Sequence, residues 1–231
     1  MALPKLEVQT YELTLPSTNQ TVKFRPFLVK EYKILLAALE SDADEISRIV
    51  TELIDVCTFK TLDIEKLAHF DVEYIFLQLR AKSIGEVTNL NISCDCGNKL
   101  KFDLNLNDVK VERKDNHSNK IMVTDNLGII MRYPKFNEII DIYDNTNSEK
   151  VFSLVSKCIE TVFDQDSVYK RSDYTDAEML EFLSDFTKEQ FDKLENFFGT
   201  MPVVKQRILQ TCNNCNAIYD YDLEGLQNFF V

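Results

Sequence analysis

Leu90-Asn91-Ile92-Ser93-Cys94-Asp95-Cys96-Gly97-Asn98-Lys99-Leu100-Lys101-Phe102-Asp103-Leu104-Asn105-Leu106 decides how the rest of this chain is read. Leu90, Ile92 and Cys94 alternate with polar residues, and Leu100, Phe102, Leu104 and Leu106 do so again beyond Cys94-Asp95-Cys96-Gly97. A period of two sends successive side chains to opposite faces of a strand, so the stretch predicts a β-hairpin that turns at its cysteines. A second such stretch lies near the other end. Val203 to Leu209 and Ile218 to Leu223 predict a hairpin broken by Cys212-Asn213-Asn214-Cys215. Two hairpin turns with a close Cys pair in each match the plan of a zinc ribbon, in which four thiolates hold one tetrahedral Zn²⁺. Gly97 suits the first knuckle, because glycine takes φ > 0 without steric cost. Cys94, Cys96, Cys212 and Cys215 are therefore the candidate ligands of a structural Zn²⁺. Four thiolates leave no position for water, so its role would be folding rather than chemistry. The first pair is CxC rather than CxxC, and no Gly follows the second, so a disulfide or free thiols at solvated turns stand as alternatives. A redox CxxC normally opens a helix in a βαβ unit, whereas strand patterns flank Cys212 and Cys215.

Outward from these hairpins the period changes in blocks. Tyr11, Leu13 and Leu15 alternate, Pro16 to Gln20 is turn chemistry, and Val22 and Phe24 resume. Ile34, Leu35, Ala38 and Leu39 then suit a helix, and Asp42 or Asp44 can cap the next one. Ile46, Ile49, Val50, Leu53, Ile54 and Cys57 form a stripe at helical spacing. Asp71 is placed to cap a third helix with Val72, Ile75, Phe76 and Leu79 on its buried face. Residues 107-119 read as a polar loop, and Ile121, Val123 and Ile129 to Met131 as a further hairpin. From Pro134 the pattern is helical: Val151, Leu154, Val155, Cys158, Ile159 and Val162 make one stripe. Thr175-Asp176-Ala177-Glu178 and Thr187-Lys188-Glu189-Gln190 are two capping boxes. Gly199 is a candidate C-terminal cap before Pro202. The expected class is α+β. Residues 1-86 form a hairpin plus helical part, 87-134 together with 201-231 a β-rich Cys-knuckle part, and 135-200 an inserted helical segment. Blocks of one period rather than strict alternation argue against a doubly wound parallel sheet.

Composition narrows the function. A formal net charge of −12 opposes the counterion replacement by which proteins bind nucleic acid, and disfavours an anionic membrane surface. A nucleic-acid or transcription accessory factor of the zinc-ribbon type is the alternative reading, but only Lys99 and Lys101 flank the first knuckle, and Asn, Asp and Tyr flank the second. No run approaches the ~18 apolar residues of a membrane span. The start, Met1-Ala2-Leu3-Pro4-Lys5-Leu6-Glu7, lacks the form of a signal peptide, so a cytosolic chain with reduced or metal-bound thiols is expected. Neither GxSxG, GxGxxG nor GxxxxGK[ST] occurs, and the two histidines, His69 and His117, read as surface or capping residues. No catalytic residues and no small-molecule substrate are expected. Cys57 and Cys158, on apolar stripes, read as small buried hydrophobes. Leu226, Phe229 and Phe230 can share one face of a short terminal helix, either tucked into the domain or offered to a partner.

Three segments carry a family resemblance. They are Val22-Lys23-Phe24-Arg25-Pro26-Phe27-Leu28-Val29-Lys30-Glu31, Phe76-Leu77-Gln78-Leu79-Arg80-Ala81-Lys82-Ser83-Ile84-Gly85-Glu86 and Leu223-Glu224-Gly225-Leu226-Gln227-Asn228-Phe229-Phe230. With the Cys pairs in this order, the chain resembles the T4-type bacteriophage baseplate hub family over nearly its full length. The resemblance implies a non-enzymatic hub subunit or hub-assembly protein of a contractile tail, with other baseplate hub proteins as partners. It also implies a place in the host cytoplasm during assembly, either as an assembly chaperone or as a subunit that stays in the virion tail baseplate.

Overall fold

The structure, a computed structural model, describes residues 6–38, 43–139 and 147–225. In chain order its elements are β1 (Tyr11–Thr14), β2 (Thr21–Phe24), α1 (Val29–Ala38), α2 (Ala43–Cys57) and α3 (His69–Ser83). There follow β3 (Val87–Ser93), β4 (Lys99–Asn105), β5 (Lys110–Glu112), β6 (Lys120–Met122) and β7 (Gly128–Met131). The remainder are α4 (Ser148–Cys158), β8 (Ile159–Phe163), β9 (Val168–Lys170), α5 (Asp176–Ser184), α6 (Lys188–Thr200), β10 (Val203–Thr211) and β11 (Ile218–Glu224). Helices and small antiparallel sheets are mixed, with no closed barrel among the described residues. The chain divides into two compact units, Met1–Glu112 with Val203–Val231, and Arg113–Pro202.

In the first unit β1 and β2 pair antiparallel, Leu13 opposite Val22, and bury both with Leu15 and Phe24. The α2 stripe points inward as its spacing demands: Ile49, Val50, Leu53, Ile54 and Cys57 are buried. Each such aliphatic side chain stabilises the fold by about 1.5–3 kcal/mol. The α3 helix is buried nearly all round, His69, Phe70, Val72, Glu73, Ile75, Phe76, Leu77 and Leu79 included. Two expectations change here. Asp71 does not cap α3, whose N-cap is Ala68 with no side-chain bond. It lies inside the first turn, fully buried, and accepts hydrogen bonds from the Ser17 amide at 3.0 Å and from the Ser17 hydroxyl, tying α3 to the β1–β2 turn. His69 is no surface residue either, being the buried first residue of that helix. In α1 Leu35 is buried but Ile34 is 54% exposed. Asp44 sits within the first turn of α2, while Leu39 and Asp42 lie outside the described residues.

The 107–119 segment is not all loop. Val109 is buried, and β5 pairs with β10, Val111 opposite Val204, giving a three-stranded sheet in the order β11-β10-β5. A three-residue strand with one apolar residue leaves too little pattern to read, and only the pairing partner makes it a strand. β3 and β4 form the first Cys hairpin, Leu90 opposite Phe102, and β10 and β11 the second, Thr211 opposite Ile218.

The second unit builds a four-stranded sheet, β6-β7-β8-β9, against α4, α5 and α6. Its core gathers Ile129, Met131, Val155, Cys158, Ile159, Leu183, Leu194 and Phe197. Both capping boxes form: Thr175 and Thr187 accept from the amides of Glu178 and Gln190, whose side chains reach back to the cap amides. The α4 stripe ends sooner than its spacing suggests. The helix stops at Cys158, and Ile159, Thr161 and Val162 enter β8, where β-branched side chains pack against β7. Gly128 in β7 is the close-approach residue, since a Cβ there would stand 2.1 Å from the Phe163 ring. Gly199 is not the cap of α6 but part of it. Met201 ends the helix in extended conformation, as the residue before Pro202 must.

Candidate metal centre

The two Cys turns meet within the first unit. Sγ of Cys94 lies 3.5 Å from that of Cys215, and Sγ of Cys96 lies 3.7 Å from that of Cys212. All four sulfurs fall within 4.8 Å of one another, and none is in a disulfide. A tetrahedron with Zn–S bonds of ~2.3 Å has edges of ~3.8 Å, so the donor set fits a tetrathiolate ion. These four residues could hold one metal ion. Cys94 and Cys212 are buried, while Cys96 and Cys215 face solvent.

Local backbone chemistry sets each turn. In the first, the Gly97 amide donates to the Cys94 carbonyl and the Cys94 amide to the Asn98 carbonyl, both at 2.8 Å, with Gly97 at φ 82°. In the second, the Cys212 amide donates to the Ala217 carbonyl at 2.8 Å and the Asn216 amide to the Cys212 carbonyl at 2.9 Å. Asn216, at φ 56°, takes the left-handed position that lacks a glycine, which asparagine tolerates better than most residues. The tips are tied together as well. The Asp95 amide donates to the Tyr219 hydroxyl at 3.2 Å, and Leu100 packs with Cys94 and Cys212 under a partly buried Ala217 and Tyr219.

Two effects set the electrostatics, hydrogen bonds donated to the sulfurs and the crowding of the sulfurs themselves. Amides of Asn214 and Cys215 and the Asn98 side chain hold the Cys212 thiol down at about 6. The Asn214 side chain and the Asn98 amide lower Cys96. Cys215 receives the Ala217 amide, but its three sulfur neighbours outweigh that and push it up to about 12. Thiolates this close repel one another, and a divalent cation at their centre relieves the repulsion.

A family model described as T4 bacteriophage base plate protein matches residues 8–231. The chain belongs to that family. No curated protein and no solved structure matches this base plate protein.

The other singled-out residues lie elsewhere. Cys57 and Cys158 are fully buried, and burial pushes their thiols up to about 11 and about 12, which suits inert core residues. His117, expected at the surface, is half-buried in the second unit. Its Nδ1 stands 3.0 Å from the Thr200 hydroxyl and its Nε2 3.2 Å from the Tyr133 hydroxyl, with Phe197 against the ring. Burial and the nearby Arg113 lower its pKa. Leu226, Phe229 and Phe230 lie outside the described residues. Reading by motif missed Asn98, Asn214, Asn216 and Tyr219, all of which bind at the knuckles. The available signal was Cys96-Gly97-Asn98 repeated as Cys212-Asn213-Asn214.

Proposed function

We propose that this base plate protein is a hub subunit or hub-assembly protein of a contractile phage tail, acting through contacts with other hub proteins rather than through catalysis. The match over residues 8–231 carries this reading, and the three segments that resemble the hub family support the hub assignment within it. The net charge of −12 favours protein partners over nucleic acid. Zn²⁺ held by Cys94, Cys96, Cys212 and Cys215 fastens two hairpins distant in sequence and serves folding, because four thiolates close the coordination sphere. Leu226, Phe229 and Phe230 supply an apolar contact to the partner. The protein works in the host cytoplasm during assembly, and as a hub subunit it is carried into the tail baseplate, whereas as a hub-assembly protein it acts only while the hub is built.

Affinity capture of a tagged chain from cells infected by its phage, with and without mature tails, tests this. Hub components should co-purify in stoichiometric amount, and the chain should be found in assembling or finished tails. Capture of no tail protein, together with its absence from tail and baseplate fractions, would overturn the assignment.

A further inference from the structure

The two knuckles exchange donors. Asn98, two residues after Cys96, sends its side-chain Nδ2 to Cys212 Sγ on the other hairpin at 3.6 Å. Asn214, two residues after Cys212, sends its Nδ2 back to Cys96 Sγ at 3.4 Å. Each asparagine thus reaches from its own hairpin to a sulfur on the other, and the pattern is the same in both directions despite the unequal spacings CxC and CxxC.

A tetrathiolate around a divalent cation has a net charge of −2, and its sulfurs are soft, poorly hydrated acceptors. Donors aimed at them disperse that charge and fix the direction of each lone pair toward the metal. The nearby cations do not do this work: Lys99 and Lys101 are exposed on β4, their side chains directed away from the buried Leu100. A side chain arriving from the opposite knuckle supplies such a donor to one sulfur of each turn.

We propose that Asn98 and Asn214 are positioning residues of the metal centre, a reciprocal pair that sets the register of one hairpin on the other and tightens the hold of the four cysteines on the ion. The inference rests on the Zn²⁺ reading above. It concerns residues that touch the sulfurs and not the metal.

The test uses the full chain and its Asn98→Ala, Asn214→Ala, Asn98→Asp and Asn214→Asp variants, loaded with Zn²⁺ or Co²⁺. Loss of an outer donor at metal sites costs about 10–100-fold in affinity, so each Ala variant should lose that much in chelator competition. The Asp variants should lose more, because they keep the side-chain volume but place a carboxylate against a thiolate. Thiolate-to-Co²⁺ charge-transfer bands should move to lower energy as the thiolates lose hydrogen bonds, with the melting midpoint of metal-free protein unchanged. Packing alone predicts the reverse order, Asp near wild type and Ala worse. That order, or unaltered affinity and spectrum in all four variants, overturns the proposal while leaving the zinc reading intact. Wild-type protein that binds neither ion overturns both.

Discussion

Removing the proposed zinc should loosen the first unit by an amount the knuckle geometry allows to be gauged. Among the described residues the tip where the hairpins meet buries only Cys94, Leu100 and Cys212, with Ala217 and Tyr219 partly covered. That is roughly one full side chain of hydrophobic stabilisation, ~1.5–3 kcal/mol, plus fractions from smaller groups. Ordering backbone costs about 1–2 kcal/mol per residue, so a tip of this size is poorly held by apolar burial alone. An ion bound only by folded protein adds about 4 kcal/mol when its free concentration is about 1,000 times the dissociation constant. For a unit of this length each kcal/mol moves the midpoint by ~2–4 °C, so saturating zinc should raise it by ~8–16 °C over chelator-treated protein. Calorimetry of the full chain, run with zinc and with excess chelator and paired with elemental analysis, reads both the shift and a stoichiometry near one. Cys212→Ser replaces a thiolate by a hydroxyl that stays protonated, and should abolish most of the shift. A midpoint indifferent to chelator, or a shift as large in Cys212→Ser as in wild type, would refute the reasoning.

Other parts of the molecule make separate predictions. Thr175→Ala and Thr187→Ala each remove an N-cap and should destabilise the second unit by ~1 kcal/mol, seen as a lower denaturant midpoint at constant slope; no change in either would show that the boxes contribute nothing. Burial raises the Asp71 pKa, with the Ser17 bonds opposing, so its stabilising contribution is full below the ordinary aspartate range and is lost as pH rises through the folded value. Asp71→Asn should therefore gain stability relative to wild type as pH rises above the ordinary aspartate range in urea titrations, and a difference that does not vary with pH argues against this. Cys57 and Cys158 should resist a thiol-specific reagent in native protein at neutral pH, and labelling as fast as at Cys96 would contradict their burial. Deleting residues 226–231 should abolish capture of the proposed hub partner with the melting midpoint unchanged, whereas normal capture would remove Leu226, Phe229 and Phe230 from the proposed interface.

Sequence alone determined whatever is written in local pattern. The α2 stripe, the two capping boxes, the β1–β2 hairpin and both Cys hairpins are legible because burial on one face imposes a period, and because caps satisfy amides within four residues. The segments that mark the baseplate family are likewise local strings. Tertiary structure decided what depends on partners remote in the chain. Ile159 and Val162 continue the helical period of α4, yet β7 supplies a sheet edge, and pairing with it outweighs the period. β5 is a strand because β10 lies beside it. Asp71 is placed by spacing to cap α3, but Ser17, far away in sequence, claims its carboxylate. At the knuckles the sequence showed four thiols in two turns; which sulfur faces which, and which asparagine reaches across, required the β3–β4 and β10–β11 hairpins to be set against each other. The physical reason is the same in each case: a period or a cap is fixed by neighbours along the chain, whereas a buried polar group or a sheet edge takes whichever partner the packed core delivers to it.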